Sequence, residues 1–204
     1  MPQYVRKLNH IMEAEQAARQ RFYDWLPDGK KAEFINGEVI VHSPVKFEHS
    51  DVSDNLLTLM RSYVRKYELG HGGHEKLLVS LTRNDYEPDI CYWCSAKSAP
   101  FKRKQMKFPA PDLIVEILSP STQKIDRNIK FEDYAAHGID EYWIVDPDEC
   151  IIEQYLLAGD VYELAAKKKS GTIQCRAIKG LKIPVAAAFD ARANSQALES
   201  IMKR

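Results

Sequence analysis

The chain has 204 residues, of which 45% are hydrophobic and 28% charged, which excludes general disorder and suffices for one sizeable core. Lysine and arginine number 29 and aspartate and glutamate 29, and this zero net charge excludes a protein that wraps long nucleic acid by charge alone. No apolar run approaches the roughly 20 residues of a membrane span, and residues 1–10 lack the apolar core of a signal peptide. We therefore expect a cytoplasmic protein without membrane contact, whose nucleic-acid binding is confined to a local patch.

The N-terminal part of the chain predicts a helix followed by a hairpin. Residues 11–26 are rich in good helix formers, and Pro27 and Gly29 are expected to end that helix. Residues 31–43 form two extended runs around Asn36-Gly37, the dipeptide that best fits a type I′ hairpin turn.

The rest of the chain alternates between helical and extended patterns. The predicted helices cover residues 47–68, 124–137 and 193–202. The predicted strands cover residues 77–81, 89–93, 112–118, 141–145 and 172–178, with a hairpin at 151–164. The glycine-rich segment 70–74 is interpreted as a turn, and residues 95–111 as a loop.

This order of elements is typical of a mixed α/β domain with a central sheet flanked by helices. No internal repeat or long linker divides the sequence. We predict a helical extension over residues 1–30, one α/β domain over 31–190 and a helical tail over 191–204.

The cysteines are interpreted as small core residues. Cys91 and Cys94 form a C-x-x-C, but Cys150 and Cys175 stand alone, whereas a structural zinc site requires a second pair. Residues 88–94 are predicted to be extended, and strand residues three apart point to opposite faces.

Two acidic residues occupy unusual positions. Asp89 follows Pro88 at the start of an apolar strand, and Glu116 lies among Ile, Val and Leu within residues 112–118. A carboxylate in such a strand is costly to bury unless it is paired, protonated or bound to a cation. A buried ion pair and a functional site both remain open from this pattern alone.

At these acids the sequence resembles the Uma2 family, and the resemblance runs over about residues 33–189. The matching segments are residues 33–38, Ser43-Pro44 with His49, Pro88-Asp89, residues 115–122, Lys130 with Tyr134, and residues 138–147. The resemblance implies the PD-(D/E)XK restriction-endonuclease-like fold, a mixed central sheet flanked by helices, here with an added N-terminal helix and hairpin.

The resemblance further implies a site in which Asp89 and Glu116 hold Mg²⁺ or Mn²⁺. Both acids are hard oxygen donors, as Mg²⁺ requires. The lysine that the superfamily carries two positions after the second acid is replaced by Leu118. The resemblance suggests that Lys130, in the following helix, supplies this ammonium, although a surface lysine paired with Asp126 is the alternative.

Further site residues follow from the resemblance or from their position. The superfamily often supplies an upstream acid, for which Glu38 is the first choice and Glu33 nearly equal. His49 is a candidate contact for substrate or water. The basic residues Lys102, Arg103 and Lys104 lie between the two acid-bearing strands and suit a phosphate backbone, although a solvated loop is equally compatible.

The leading hypothesis is a metal-dependent endonuclease that hydrolyses phosphodiester bonds in DNA. The alternative is a catalytically inactive DNA-binding or assembly module of the same fold, which Leu118 and the zero net charge favour. A homodimer is also compatible with the resemblance, although the sequence indicates no interface. A nucleophilic hydrolase using Ser119 or Cys91 is disfavoured because neither residue lies in a Gly-x-Ser-x-Gly elbow.

Overall fold

A computed structural model describes residues 2–26 and 30–203 of the chain. The helices are α1 (Gln3–Trp25), α2 (Phe47–Lys66), α3 (Ser95–Ser98), α4 (Gln123–Arg127), α5 (Ile129–Ala136), α6 (Ala186–Phe189) and α7 (Ala191–Lys203). The strands are β1 (Ala32–Ile35), β2 (Glu38–Val41), β3 (Gly70–His74), β4 (Leu78–Ser80), β5 (Asp85–Tyr86), β6 (Ile90–Cys94), β7 (Lys107–Phe108), β8 (Leu113–Ile117), β9 (Glu141–Asp146), β10 (Ile151–Ala158), β11 (Val161–Lys168), β12 (Thr172–Gln174) and β13 (Lys182–Pro184). The predicted mixed α/β class is confirmed.

The central sheet has the strand order β11-β10-β9-β8-β6-β3 in the described part of the chain. Strands β8 and β9 run parallel, and the other neighbouring pairs of this sheet are antiparallel. The whole of β8 is buried, as expected for a near-continuous apolar run in the middle of a sheet. Glu116 therefore lies on an interior strand.

A second sheet has the order β2-β1-β5-β4-β7 within the described residues. Strands β1 and β2 form the predicted hairpin, and the φ angles of +51° at Asn36 and +89° at Gly37 are those of a type I′ turn. Every residue of β1 is buried, whereas β2 at the edge of the sheet is largely exposed. This difference determines which acid of the hairpin reaches the interior.

Alternate residues of β8 face different apolar cores. Val115 and Ile117 belong to the core that includes residues of α2, α6 and α7. Ile114 and Leu118 belong to the core that includes residues of α5 and of the second sheet. Glu116 has the parity of Ile114 and Leu118, so its carboxylate points toward the α5 side of the central sheet.

Residues 70–74 form the edge strand β3 and not the predicted turn. Glycine permits this strand to pack closely against its neighbours. A Cβ atom at Gly70 would overlap the carbonyl oxygen of Trp93, and one at Gly73 would lie 2.5 Å from Leu77 Cδ1. Gly70 therefore permits a close backbone approach and Gly73 a close approach of neighbouring side chains, and composition alone does not distinguish these roles from a chain reversal.

The helix predicted over residues 124–137 is divided into α4 and α5 at Asn128, which has φ −125° and ψ −80°. The Asn128 side-chain amide donates to the carbonyl oxygen of Lys124 at 2.7 Å. That carbonyl would accept the Asn128 backbone N–H in a continuous helix, so the side chain competes with the helical hydrogen bond. The segment 95–111, predicted as a loop, contains α3 and β7.

The terminal helices attach to different parts of the molecule. In α1, Phe22 is buried and the Arg19 guanidinium donates to Asp85 Oδ1 at 2.8 Å, whereas residues 2–14 are exposed. In α7, the Asn194 side-chain amide donates to the carbonyl oxygen of Asn55 on α2 at 2.9 Å.

Pro27 and Gly29, expected to end the first helix, lie outside the described residues. The boundaries at residues 30 and 190 stay predictions.

None of the helices in the described part of the chain is both long and apolar enough to cross a membrane.

Candidate active site

A cleft of about 280 Å³ opens where the start of β6 meets the end of β8. The segment that follows β2, the first turn of α2 and the turn before α4 form its other walls. Its ionisable lining residues are Lys31, His42, Lys46, His49, Asp89, Glu116, Asp126 and Lys130. Both acids predicted from the strands are therefore in one cleft.

Asp89 and Glu116 are neighbours across two adjacent strands. Ile90 is the register partner of Val115, so the antiparallel pairing places Asp89 opposite Glu116 as the next pair. Side chains of such a pair lie on the same face of the sheet. The Ile117 N–H also donates to Asp89 Oδ2 at 2.8 Å, which fixes the Asp89 carboxylate against β8.

Lys130 reaches the cleft from α5. Its Nζ lies 2.9 Å from Glu116 Oε1, 3.1 Å from Glu33 Oε1 and 3.2 Å from Asp126 Oδ1. The Lys130 side chain is 2% exposed. Tyr134, one helical turn further along, donates its hydroxyl to Glu116 Oε1 at 2.9 Å. The structure brings this ammonium beside Glu116, and the catalytic role of Lys130 stays a prediction.

The upstream acid beside Lys130 is Glu33 and not Glu38. Glu38 is an exposed residue of the edge strand β2. Glu33 lies on the fully buried β1, where its Oε1 also accepts the Glu87 N–H at 2.9 Å. The sequence left these two acids nearly equal because the strand order of the second sheet, which buries one and exposes the other, is a tertiary property.

His49 lies in the first turn of α2, where its Nε2 is 3.2 Å from Asp89 Oδ2. The side chain is buried, and His49 Nδ1 has no hydrogen-bond partner among the described residues. The predicted contact of His49 with substrate or water stays a prediction. What the structure adds is a direct contact with one of the two site acids.

The environments of the two strand acids move their pKa values in opposite directions. Burial raises the pKa of Glu116 to about 8; Lys130 opposes this shift, while Asp126 and Asp89 reinforce it. Burial also acts to raise the pKa of Asp89, but Lys31 and His49 outweigh it and hold that pKa well below its usual range. The charged partners of Asp89 therefore favour its ionised form, while burial favours the protonated form of Glu116 in the metal-free protein.

The basic residues Lys102, Arg103 and Lys104 lie away from the site, which corrects their predicted placement at its mouth. Asp89 lies directly before β6, so the cleft is at the start of this strand. The loop follows α3, after the end of β6, and leads to the start of β8, so it lies at the opposite end of both strands from the cleft. Five strand residues span about 16 Å. All three side chains are exposed at that end. Sequence proximity to both acid-bearing strands did not reveal which ends of the strands the loop connects.

Lys31 and Asp126 are site residues that the sequence analysis missed. The Lys31 Nζ lies 2.7 Å from Asp89 Oδ1, directly before β1. The sequence indicates Asp126 only as a surface partner of Lys130, but its side chain is 2% exposed. The four-residue spacing between Asp126 and Lys130 was the available signal. No comparable signal marks Lys31, whose partner is 58 residues away in the chain.

The residues present fit a divalent cation such as Mg²⁺. Asp89 and Glu116 place hard carboxylate donors side by side in one cleft. Among residues 2–26 and 30–203, no group of three or more His, Cys, Asp or Glu side chains is arranged to hold a metal ion. Mg²⁺ is commonly held by only one or two carboxylates, with water and substrate phosphates as the remaining ligands, so the pair suits this kind of site.

The mixed sheets flanked by helices are those of the restriction-endonuclease-like fold class. The sequence matches the Uma2 family, described as "putative restriction endonuclease", over residues 19–186. This chain belongs to the Uma2 family.

The chain is also similar to two further proteins in sequence and to one solved structure in fold. Two uncharacterized proteins of Synechocystis sp., slr1290 and sll1609, are each 30% identical to the chain, over 129 and 135 residues. These alignments cover 62% and 64% of this chain and 66% and 75% of the relatives' lengths. A crystal structure described as "a putative nuclease belonging to DUF820", from Anabaena variabilis, matches with a TM-score of 0.67 at 20% identity, covering 82% of this chain and 90% of that one. This match supports the predicted fold.

Proposed function

We propose that the protein is an endonuclease that hydrolyses phosphodiester bonds in DNA with the help of Mg²⁺ or Mn²⁺. The observation that supports this most strongly is the pairing of Asp89 with Glu116 in one cleft, with the Lys130 ammonium 2.9 Å from Glu116. Membership of the Uma2 family supports a nuclease and leaves the cation and the nucleic acid as proposals.

Each site residue has a proposed role. Asp89 and Glu116 would hold the cation, which would supply water activation and neutralise charge on the phosphoryl group. Glu116 must give up its proton to serve as a ligand. Lys130 orients the Glu116 carboxylate and places a positive charge at the wall of the cleft, where it stabilises the negative charge that develops during hydrolysis.

The local DNA contact would lie at the mouth of the cleft. Lys46 is an exposed residue of the lining, and Lys31 and His42 lie nearby in the same wall. These groups, and not Lys102–Lys104, are placed to meet a phosphate beside the two acids. Such contacts position a nucleic acid without reading its sequence.

A catalytically inactive binding or assembly module is the second candidate function. The observation that favours it is Leu118, which is buried in the apolar core where the superfamily pattern has a lysine. In this case the protein would bind DNA without cleaving it. The two functions share a fold and differ in their response to a divalent cation.

The deciding experiment is a titration of Mg²⁺ and Mn²⁺ in the presence of supercoiled, linear and single-stranded DNA. We expect cation-dependent cleavage by the wild type, and loss of cleavage in Asp89→Asn and in Glu116→Gln. The exposed acid Glu38 provides the matched control, and Glu38→Gln should cleave like the wild type. Cation-independent DNA binding without cleavage of any form would favour the second function.

A further inference from the structure

The two oxygens of the Asp89 carboxylate have different partners. Oδ2 accepts the Ile117 N–H at 2.8 Å and lies 3.2 Å from His49 Nε2. Oδ1 accepts a hydrogen bond from the Lys31 ammonium at 2.7 Å. The oxygen that the sheet leaves available therefore carries a positively charged side chain in the metal-free protein.

From this arrangement we infer that Lys31 and a divalent cation exclude one another at Asp89. The inference rests on the proposed function, since it takes Asp89 as a cation ligand. Asp89 is 3% exposed, so water screens charges poorly around it. A divalent cation on this carboxylate would be strongly repelled by an ammonium bound to the same group. Lys31 must therefore leave before the cation can bind tightly.

The structure allows Lys31 to leave and keeps Lys130 in place. The Lys31 side chain is 17% exposed and lines the cleft, so its four-carbon stem can swing the ammonium into solvent. Lys130 is 2% exposed and is enclosed by Glu33, Glu116 and Asp126. The two lysines therefore have different roles, one exchangeable and one fixed.

The backbone around Lys31 does not depend on its ammonium. The Lys31 carbonyl oxygen accepts the His42 N–H at 3.0 Å, and the following Ala32 N–H donates to Glu87 Oε2 at 3.1 Å. These hydrogen bonds hold the entry into β1. Removing the side-chain charge is therefore expected to leave the fold intact.

The test is calorimetric titration of Mn²⁺ into the wild type and into Lys31→Met, without DNA. Because the competing ammonium is gone, Lys31→Met should bind Mn²⁺ at least about fivefold more tightly, the lower end of ordinary coupling between two ligands. Lys31→Arg retains the charge and should stay near the wild type. Lys46→Met removes another lysine of the same cleft and should change the affinity by less than about twofold.

Equal or weaker Mn²⁺ binding by a folded Lys31→Met, with the wild type still binding, would contradict this inference and leave the proposed function standing. Absence of Mn²⁺ binding from the wild type and from every variant would instead contradict the proposed function. These two failures are therefore distinguishable.

A second measurement needs only the wild-type protein. Reductive methylation of lysines, read by mass spectrometry, should modify Lys31 faster when Mg²⁺ is present, because the ammonium is then released from Asp89. Lys130 should stay protected under both conditions. A Lys31 modification rate that does not respond to Mg²⁺ would overturn the inference even if Lys31→Met failed to fold.

Discussion

Two buried glutamates on the parallel strands β8 and β9 show how differently a folded protein can accommodate a carboxylate. Glu116 is 2% exposed at the cleft end of β8, where its Oε1 contacts Lys130 and the Tyr134 hydroxyl. Glu141 is 0% exposed at the start of β9, at the opposite end of the sheet, because its register partner is Leu113.

The partners of Glu141 are neutral hydrogen-bond donors. Oε1 accepts the Trp143 indole N–H at 2.6 Å and the Gln154 side-chain amide at 2.5 Å. Oε2 accepts the backbone N–H groups of Arg176 and Ala177 at 2.8 and 2.6 Å. This carboxylate ties β9 to the segment between β12 and β13. Burial of an acid in a strand therefore does not mark a functional site; the nature of its partners does.

The sharpest test of this comparison is the same substitution at both positions. Glu116→Gln should lower cleavage by roughly a thousandfold, because it removes a proposed cation ligand, and should leave stability unchanged or higher. Glu141→Gln should lower the free energy of unfolding by about 1–3 kcal/mol, since an NH₂ group would then face N–H donors. Cleavage per folded molecule should not change in Glu141→Gln. Plasmid cleavage and urea denaturation measure both quantities, and a cleavage defect in folded Glu141→Gln would contradict the distinction.

The buried Lys130 ammonium beside Glu116 should be essential for stability. Lys130→Met removes the shared partner of three buried acids, Glu33, Glu116 and Asp126, and leaves the Glu33 carboxylate charged and unpaired, so we expect a loss of about 3–5 kcal/mol at neutral pH. An exposed helix lysine would cost less than about 1 kcal/mol. Lys124→Met, in the exposed part of α4, is the matched control and should remain near the wild type. Equal urea midpoints for both variants would show that Lys130 contributes no net stability.

The raised pKa of Glu116 predicts a pH dependence of stability in the metal-free protein. Between its ordinary value of 4.5 and about 8, the folded state holds a proton that the unfolded chain has lost. Unfolding then releases a proton, so stability should fall as pH rises through this window, by up to roughly 1.4 kcal/mol per pH unit. In Glu116→Gln this contribution is absent. Plots of the free energy of unfolding against pH, measured by urea denaturation for the wild type and for Glu116→Gln, should therefore converge near pH 4.5. Parallel curves from pH 4.5 to 8 would contradict a raised pKa.

A smaller effect on stability is expected from removing one of the neutral hydrogen-bond donors around Glu141. Trp143→Phe removes the indole N–H that binds Glu141 Oε1 while keeping an aromatic ring, so the free energy of unfolding should fall by about 1–2 kcal/mol. Cleavage and Mn²⁺ binding should match the wild type. A change in Mn²⁺ affinity would show that the two glutamates are coupled across the sheet.

The sequence was sufficient for much of the fold because the relevant signals are local. The Asn36-Gly37 turn, the helical spacing of α2 and the apolar run of β8 each depend on residues close together in the chain. Asp89 and Glu116 stood out for the same reason, since each is a charge within an apolar segment.

The features of the site that the sequence did not predict depend on contacts between segments that are distant in the chain. Glu33 and Glu38 differ only by the position of their strands in the second sheet. Lys31 meets Asp89 through the packing of that sheet against β6 and β8. The basic loop was misplaced because the direction in which β6 runs from the site is a property of the assembled sheet. Hydrophobic patterning does not encode these relations.

The Lys130 ammonium has a consequence for how the protein folds. It contacts Glu33 of β1 in the second sheet and Glu116 of β8 in the central sheet, so one charge joins the two sheets. Contacts that span about a hundred residues of chain form late, because the loops they close are entropically costly. In a partly folded chain, Lys130 can therefore meet Asp126 and Glu116, which are near in the sequence, before it meets Glu33, and the complete site exists only in molecules in which both sheets are already docked.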